Sequence, residues 1–115
     1  MIGASINCRG VAKKGMCLFL ANLIKDQMLD FIGLQETIKK DYSPAFFRKI
    51  DPLNQFVWKW SPSRGMAGGI LGGFRIARFD IVDIVIDRFF VKVVLFGLKI
   101  QKKWCMVICI WGCAG

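Results

Sequence analysis

A chain of 115 residues and 13.0 kDa holds one domain at most, with room for one modest core. Its residues are 55% hydrophobic with a mean hydropathy of +0.46, which excludes the disordered class and leads us to expect apolar surface that meets a partner or a further part of the same domain. Seventeen Lys and Arg stand against eight acids, and a net charge of +9 favours a polyanion, nucleic acid before an anionic membrane surface; a solvated basic surface with no specific partner accounts for the same charge.

No stretch reads as a membrane span. The longest apolar region, Ile81 to Ile100, contains Asp83, Asp87, Arg88, Lys92 and Lys99, whereas a spanning helix needs about 20 largely uncharged residues. Arg9, Lys13 and Lys14 before the run Met16 to Ile24 imitate a signal peptide, but Lys25-Asp26 follows instead of a small-residue cleavage site. A transit peptide stays open, since no acid precedes Asp26. The expected localisation is nuclear or cytoplasmic, with no membrane partner. Cysteine usage agrees. Cys8 and Cys17 are isolated, Cys105, Cys109 and Cys113 recur every fourth residue, and the chain has neither histidine nor C-x-x-C. That excludes a zinc framework and suggests reduced, mostly buried thiols.

In chain order, Ala4 to Cys8 alternates as a strand, with Ala4, Ile6 and Cys8 on one face and Ser5 and Asn7 on the other. Gly15 to Leu29 places Met16, Phe19, Leu20, Leu23, Ile24 and Met28 at the spacing of an amphipathic helix. Phe31 to Gln35 follows as a short, continuous apolar strand. Strand, helix and strand in about 30 residues form a βαβ unit, whose crossover makes the two strands parallel. If those strands are neighbours, Asn7 and Glu36, the only glutamate in the chain, meet at one rim. The carboxyl ends of parallel strands are where open α/β sheets bind ligands.

Ser43 as N-cap and Pro44 at the first helical position start a short helix, Pro44 to Ile50, which Asp51-Pro52 ends. Gln55 to Trp60 alternates as a strand with Phe56, Trp58 and Trp60 on one face; we expect them in the core rather than stacked on bases. Residues 61 to 69 are a loop rich in Pro, Ser and Gly. Ile70 to Ile76 resumes as a strand, its Gly72-Gly73 pair marking a bulge or a close approach. Phe79 to Ile86, Phe89 to Leu98 and Trp104 to Trp111 read as three more strands, with a tight connection at Asp87-Arg88 and nothing after the last to cover it. The fold class is α/β of the α+β sandwich type: a βαβ start followed by a mostly antiparallel strand meander.

Three passages in this order resemble one family. Ser5-Ile6-Asn7-Cys8-Arg9-Gly10, then Leu34-Gln35-Glu36-Thr37, then Gly65-x-x-Gly68-Gly69-Ile70 are similar to the DNase I-like endonuclease/exonuclease/phosphatase fold. They look most like the apurinic-type endonuclease domain of LINE-type retrotransposons. Phe56-x-Trp58-x-Trp60-Ser61-Pro62-Ser63 resembles the plant elements. Each motif alone is unspecific; their order and spacing carry the likeness. It covers nearly all of residues 1–115 but only the N-terminal part of the family domain.

The resemblance implies a Mg²⁺-dependent phosphodiesterase acting on DNA. Asn7 matches the asparagine that orients the scissile phosphate. Glu36 matches the glutamate that binds the catalytic Mg²⁺. Trp111 stands where a phosphate-contacting tyrosine is expected, and indole offers one N–H and no hydroxyl. Ala67 replaces a serine often seen before the paired glycines. The family's later Asp-x-Asn and Ser-Asp-His segments have no counterpart here, which implies a truncated, catalytically incomplete domain with little more than the first sheet and one sheet face unpaired. A small basic nucleic-acid-binding or interaction protein without catalysis, and an expressed remnant without a selected role, remain as alternatives.

Overall fold

The computed structural model describes residues 1–110. Nine elements follow in order: β1 (Gly3–Asn7), α1 (Met16–Asp26), β2 (Phe31–Gln35), α2 (Pro44–Ile50), β3 (Phe56–Ser61), β4 (Ile70–Arg75), β5 (Phe79–Ile86), β6 (Phe90–Gly97) and β7 (Lys103–Cys109). β1 and β2 pair in parallel, as the α1 crossover dictates, with Asn7 opposite Gln35. β4 inserts between β2 and β3, antiparallel to both, giving a four-stranded sheet of order β1-β2-β4-β3. β5, β6 and β7 form a separate antiparallel meander.

Helix α1 buries Leu20 and Ile24, but two residues of the expected stripe are exposed: Phe19, within the helix, and Met28, which lies beyond its end at Asp26. Met28 then adopts φ +50° in the turn to β2. At α2 the Ser43 side chain accepts from the Phe46 N–H at 3.2 Å, and Pro44 takes the first helical position, where no donor is needed. Asp51 does more than end that helix. Its buried carboxylate accepts from the backbone N–H groups of Gln55 and Phe56, at 2.9 and 3.1 Å, and from the Trp58 indole at 3.1 Å. One side chain thus ties the α2–β3 turn to the strand that follows.

Two cores result. The helices cover one face of the four-stranded sheet, enclosing Leu20, Ile32, Leu34, Phe46, Ile50 and Leu71, with Trp58 and Trp60 half-buried at the edge. Phe47 stacks on Trp58 at 5.5 Å between ring centroids, so these indoles pack against the fold, as expected. The second core lies between the sheets, around Ile70, Phe74, Val91, Val93, Leu95 and Ile108. This corrects the expectation of a single sheet with an open face: β5–β7 close over β2 and β4. The docking depends on two glycines. Gly33 and Gly72 are register partners across β2 and β4, and a Cβ on either would lie 3.2 Å or less from the Ile108 side chain. Their bare backbones form the hollow that Ile108 enters. Gly72-Gly73 therefore marks a close approach, not a bulge; the irregularity in the sheets falls in β5, between Ile81 and Asp83.

The outward face of β5–β7 carries Val85, Val107, Cys105 and Cys109 beside Lys92. Cys105 and Cys109 are exposed rather than buried, because they alternate with the inward Met106 and Ile108. Among the described residues no helix is long and apolar enough to cross a membrane. Trp111 and Cys113 lie outside the described residues.

Candidate functional site at the carboxyl rim of β1 and β2

The parallel pairing places Asn7 and Glu36 at the same end of neighbouring strands. Asn7 points to the face away from the helices, as the alternation requires, and is exposed; Glu36 is half-buried. Neither side chain has a hydrogen-bond or ion-pair partner among the described residues. An amide and a carboxylate therefore stand free where the sheet ends.

The backbone around Glu36 is held from both sides. Gly10 N–H donates to the Glu36 carbonyl at 2.8 Å, and Val11 N–H to that of Thr37 at 2.8 Å. Across the other flank, Thr37 N–H donates to Gly69 O at 3.1 Å and Ile38 N–H to Gly68 O at 2.9 Å. The three loops after β1, after β2 and before β4 are thereby laced into one surface. Their backbone is unusual. Arg9, Gly10, Glu36, Ile38, Gly68 and Gly69 all have positive φ, and for Ile38, a β-branched residue at +50°, that conformation is costly. Backbone strain of this kind clusters at binding and catalytic sites.

Cations gather on the same surface. Arg9, Lys13 and Lys14 follow β1, Lys39 and Lys40 follow β2, and Arg64 precedes β4. The carboxylates in those loops are Glu36 and Asp41, and none of the six cations forms an ion pair among the described residues. Lys39 lies 5.4 Å from the Phe46 ring centroid and 5.7 Å from that of Tyr42. The potential at this rim favours an anion.

Beneath the rim lie Cys8, Thr37 and Tyr42, all buried. Neither the Thr37 nor the Tyr42 hydroxyl has a hydrogen-bond partner among the described residues. Burial pushes the Cys8 thiol up to about 11, the Lys13 charge opposing it. Burial likewise pushes the Tyr42 phenol up to about 12, with the Thr37 hydroxyl opposing and Cys8 adding a little. Both folded values lie above the ordinary 9.0 and 10.0, so the fold favours the neutral forms. Their contribution is fully present below pH 9 and is lost as the pH rises from 9 to 12, at about 1.4 kcal/mol per pH unit for each group while only its unfolded form has ionised. Urea unfolding at pH 8, 10 and 11.5 is expected to show that decline. Tyr42→Phe should flatten the part above pH 10 and cost little at pH 8, since it removes an unpaired buried hydroxyl. A pH-independent midpoint would contradict this reading.

A divalent ion suits this rim only in part. Among the described residues no group of three or more His, Cys, Asp or Glu could hold a metal. Glu36 and the Asn7 carbonyl oxygen offer one carboxylate and one amide, hard donors with no competing protein partner. Magnesium is commonly held by one or two carboxylates, with water and substrate phosphate filling the remaining positions. The donor set fits such an ion bound together with a phosphate, and is too sparse for a closed protein cage.

No family model and no curated protein matches the chain. Solved structures do. An AP endonuclease from Leishmania major is similar over 98% of this chain and 40% of its own, with TM-score 0.63 and 11% identity. An endonuclease/exonuclease/phosphatase family protein from Bacteroides thetaiotaomicron is similar over 90% of this chain and 48% of its own, at 0.63 and 10%. D. rerio TDP2, solved in complex with a single-strand DNA product, is similar over 90% of this chain and 42% of its own, at 0.59 and 14%. The fold is DNase I-like, and the chain spans less than half the length of each of these structures.

Proposed function

We propose that the carboxyl rim of β1 and β2 is half of a metal–phosphate site, in a chain that corresponds to the N-terminal part of a DNA endonuclease domain. The observation that carries this reading is the parallel β1–β2 pairing, which brings Asn7 and Glu36 to the same end of neighbouring strands, beside loops whose six cations form no ion pair among the described residues. The structures it resembles include an AP endonuclease and a TDP2 bound to single-strand DNA. The motifs at Asn7, Glu36 and Gly68-Gly69 favour a LINE-type origin, and a nuclear or cytoplasmic setting accords with that. A bound Mg²⁺ would supply Lewis-acid stabilisation of charge on the phosphoryl oxygens.

The chain's own residues would divide the remaining work. Glu36 would hold the ion, and Asn7 would donate from its amide to a phosphate oxygen. The Arg and Lys of the three loops would hold the phosphodiester backbone without reading sequence. Taking a proton from the attacking water needs a general base, and with no histidine in the chain the rim offers only Glu36, already engaged by the ion, and the exposed Asp41. Binding without efficient cleavage follows. In a nicking assay on supercoiled DNA with Mg²⁺, the 115-residue chain is expected to leave the substrate intact while retarding it on a gel. Robust nicking abolished by Glu36→Ala would refute the incompleteness; retention unaffected by Glu36→Ala and lost in salt would favour a basic binding protein without a metal site.

A further inference from the structure

The opposite end of the sheet carries a second feature, unconnected with Glu36. β2 begins after Asp30 and ends before Glu36, so at about 3.3 Å per residue the two rims lie roughly 16–20 Å apart. At the amino rim, a cleft of about 720 Å³ opens between the end of α1, the 51–55 turn and the turn from β4 to β5. A smaller hollow of about 100 Å³ shares Asp30, Arg78 and Lys99 as walls and extends the groove towards Ile100.

Two properties define what this groove can hold. Its carboxylates are spent: Asp30 accepts from the Ile2 N–H at 3.0 Å and pairs with Arg78 at 3.2 Å, and Asp51 is occupied by the three donors of the α2–β3 turn. Lys25 and Lys99 have no ion-pair partner among the described residues, and Arg78 remains half-exposed despite its pairing. The groove therefore presents uncompensated positive charge. Aliphatic side chains also project around it: Met28 is 73% exposed, Leu53 75% and Ile100 60%.

Met28 is the telling residue. It stands just past the C-cap of α1 at φ +50°, where glycine is the favoured residue, and a methionine there strains the backbone while exposing an apolar side chain. Local stability alone would select glycine. Methionine is, however, an adaptable contact for variable apolar partners. A nucleic-acid backbone offers nothing to three aliphatic side chains, and a bilayer surface does not enter a cleft. A peptide does both.

We propose that the amino-rim groove is a docking site for an acidic peptide segment in which apolar side chains alternate with carboxylates. The carboxylates would meet Lys25, Arg78 and Lys99, and the apolar side chains would meet Met28, Leu53 and Ile100. The test is fluorescence anisotropy of a fluorescein-labelled eight-residue peptide of alternating glutamate and leucine, titrated with the 115-residue chain. Saturable binding below about 1 mM is expected, weakened about tenfold by Lys25→Glu with Lys99→Glu, and several-fold by Met28→Gly. Met28→Gly suits the local backbone, so its fold is secure. Glu36→Gln should leave this binding unchanged. Failure to bind, equal binding of a glutamate–serine peptide, or indifference to both the lysine and the methionine variants would overturn the proposal. So would uptake on phosphatidylserine vesicles, or on duplex DNA, that depends on Lys25 and Lys99 while the peptide stays free.

Discussion

Replacing Gly69 with alanine is expected to destabilise the protein by about 3–5 kcal/mol, enough to unfold much of a domain this small. Two costs add. The backbone at Gly69 has φ +93°, which an L side chain resists. A Cβ there would also fall within 2.3 Å of the Thr37 Oγ1 and 3.2 Å of the Ile38 nitrogen. Neither neighbour can withdraw. Thr37 is fully buried, and the Thr37 and Ile38 N–H groups donate to the carbonyls of Gly69 and Gly68. The glycine pair thus fixes the segment that carries Glu36. Chemical denaturation with a circular dichroism readout measures the effect; a loss below about 1 kcal/mol would show that the loop relaxes and that the lacing of the rim is weak.

DNA binding is expected to collapse with salt. If all six rim cations neutralise phosphates, log K should fall with log salt at a slope near −5, so affinity drops by about three orders of magnitude between 50 and 200 mM. Neutralising Arg9 or Lys40 individually should lower the slope by about 1 and weaken all sequences alike. Anisotropy titrations over a salt series decide it. A slope shallower than about −2 would mean that the rim cations do not track a phosphate backbone.

What was legible in the sequence was local. The existence of α1, the Ser43-Pro44 start of α2 and the alternation of the strands appear as read, to within a residue or two at most strand ends, whereas α1 ends three residues early and leaves Phe19 of its expected stripe exposed. The parallel adjacency of β1 and β2, with Asn7 and Glu36 at the same end, was legible too, because a βαβ crossover leaves little freedom once its two strands pair. The insertion of β4 between β2 and β3 was not, since strand order is set by packing between distant residues. Nor was the closure by β5–β7: the reason for it is the hollow at Gly33 and Gly72, two glycines 39 positions apart that become partners only in the sheet. Asp51 read as a helix terminator because its three acceptor contacts depend on the turn geometry. The positive φ at Glu36 and Ile38 carries no signal in residue types that ordinarily avoid it.

Glu36 at this rim is proposed as a cation ligand. Mn²⁺ substitutes for Mg²⁺ at oxygen sites, and it broadens the NMR signals of nearby amides. Titrating Mn²⁺ into the ¹⁵N-labelled chain with a short duplex DNA present should broaden the amides of residues 7–10, 36–38 and 68–69 at substoichiometric ion, leave those around Met28 and Leu53 sharp, and lose this selectivity in Glu36→Gln. Equal broadening at both rims, or an unchanged pattern in Glu36→Gln, would contradict it.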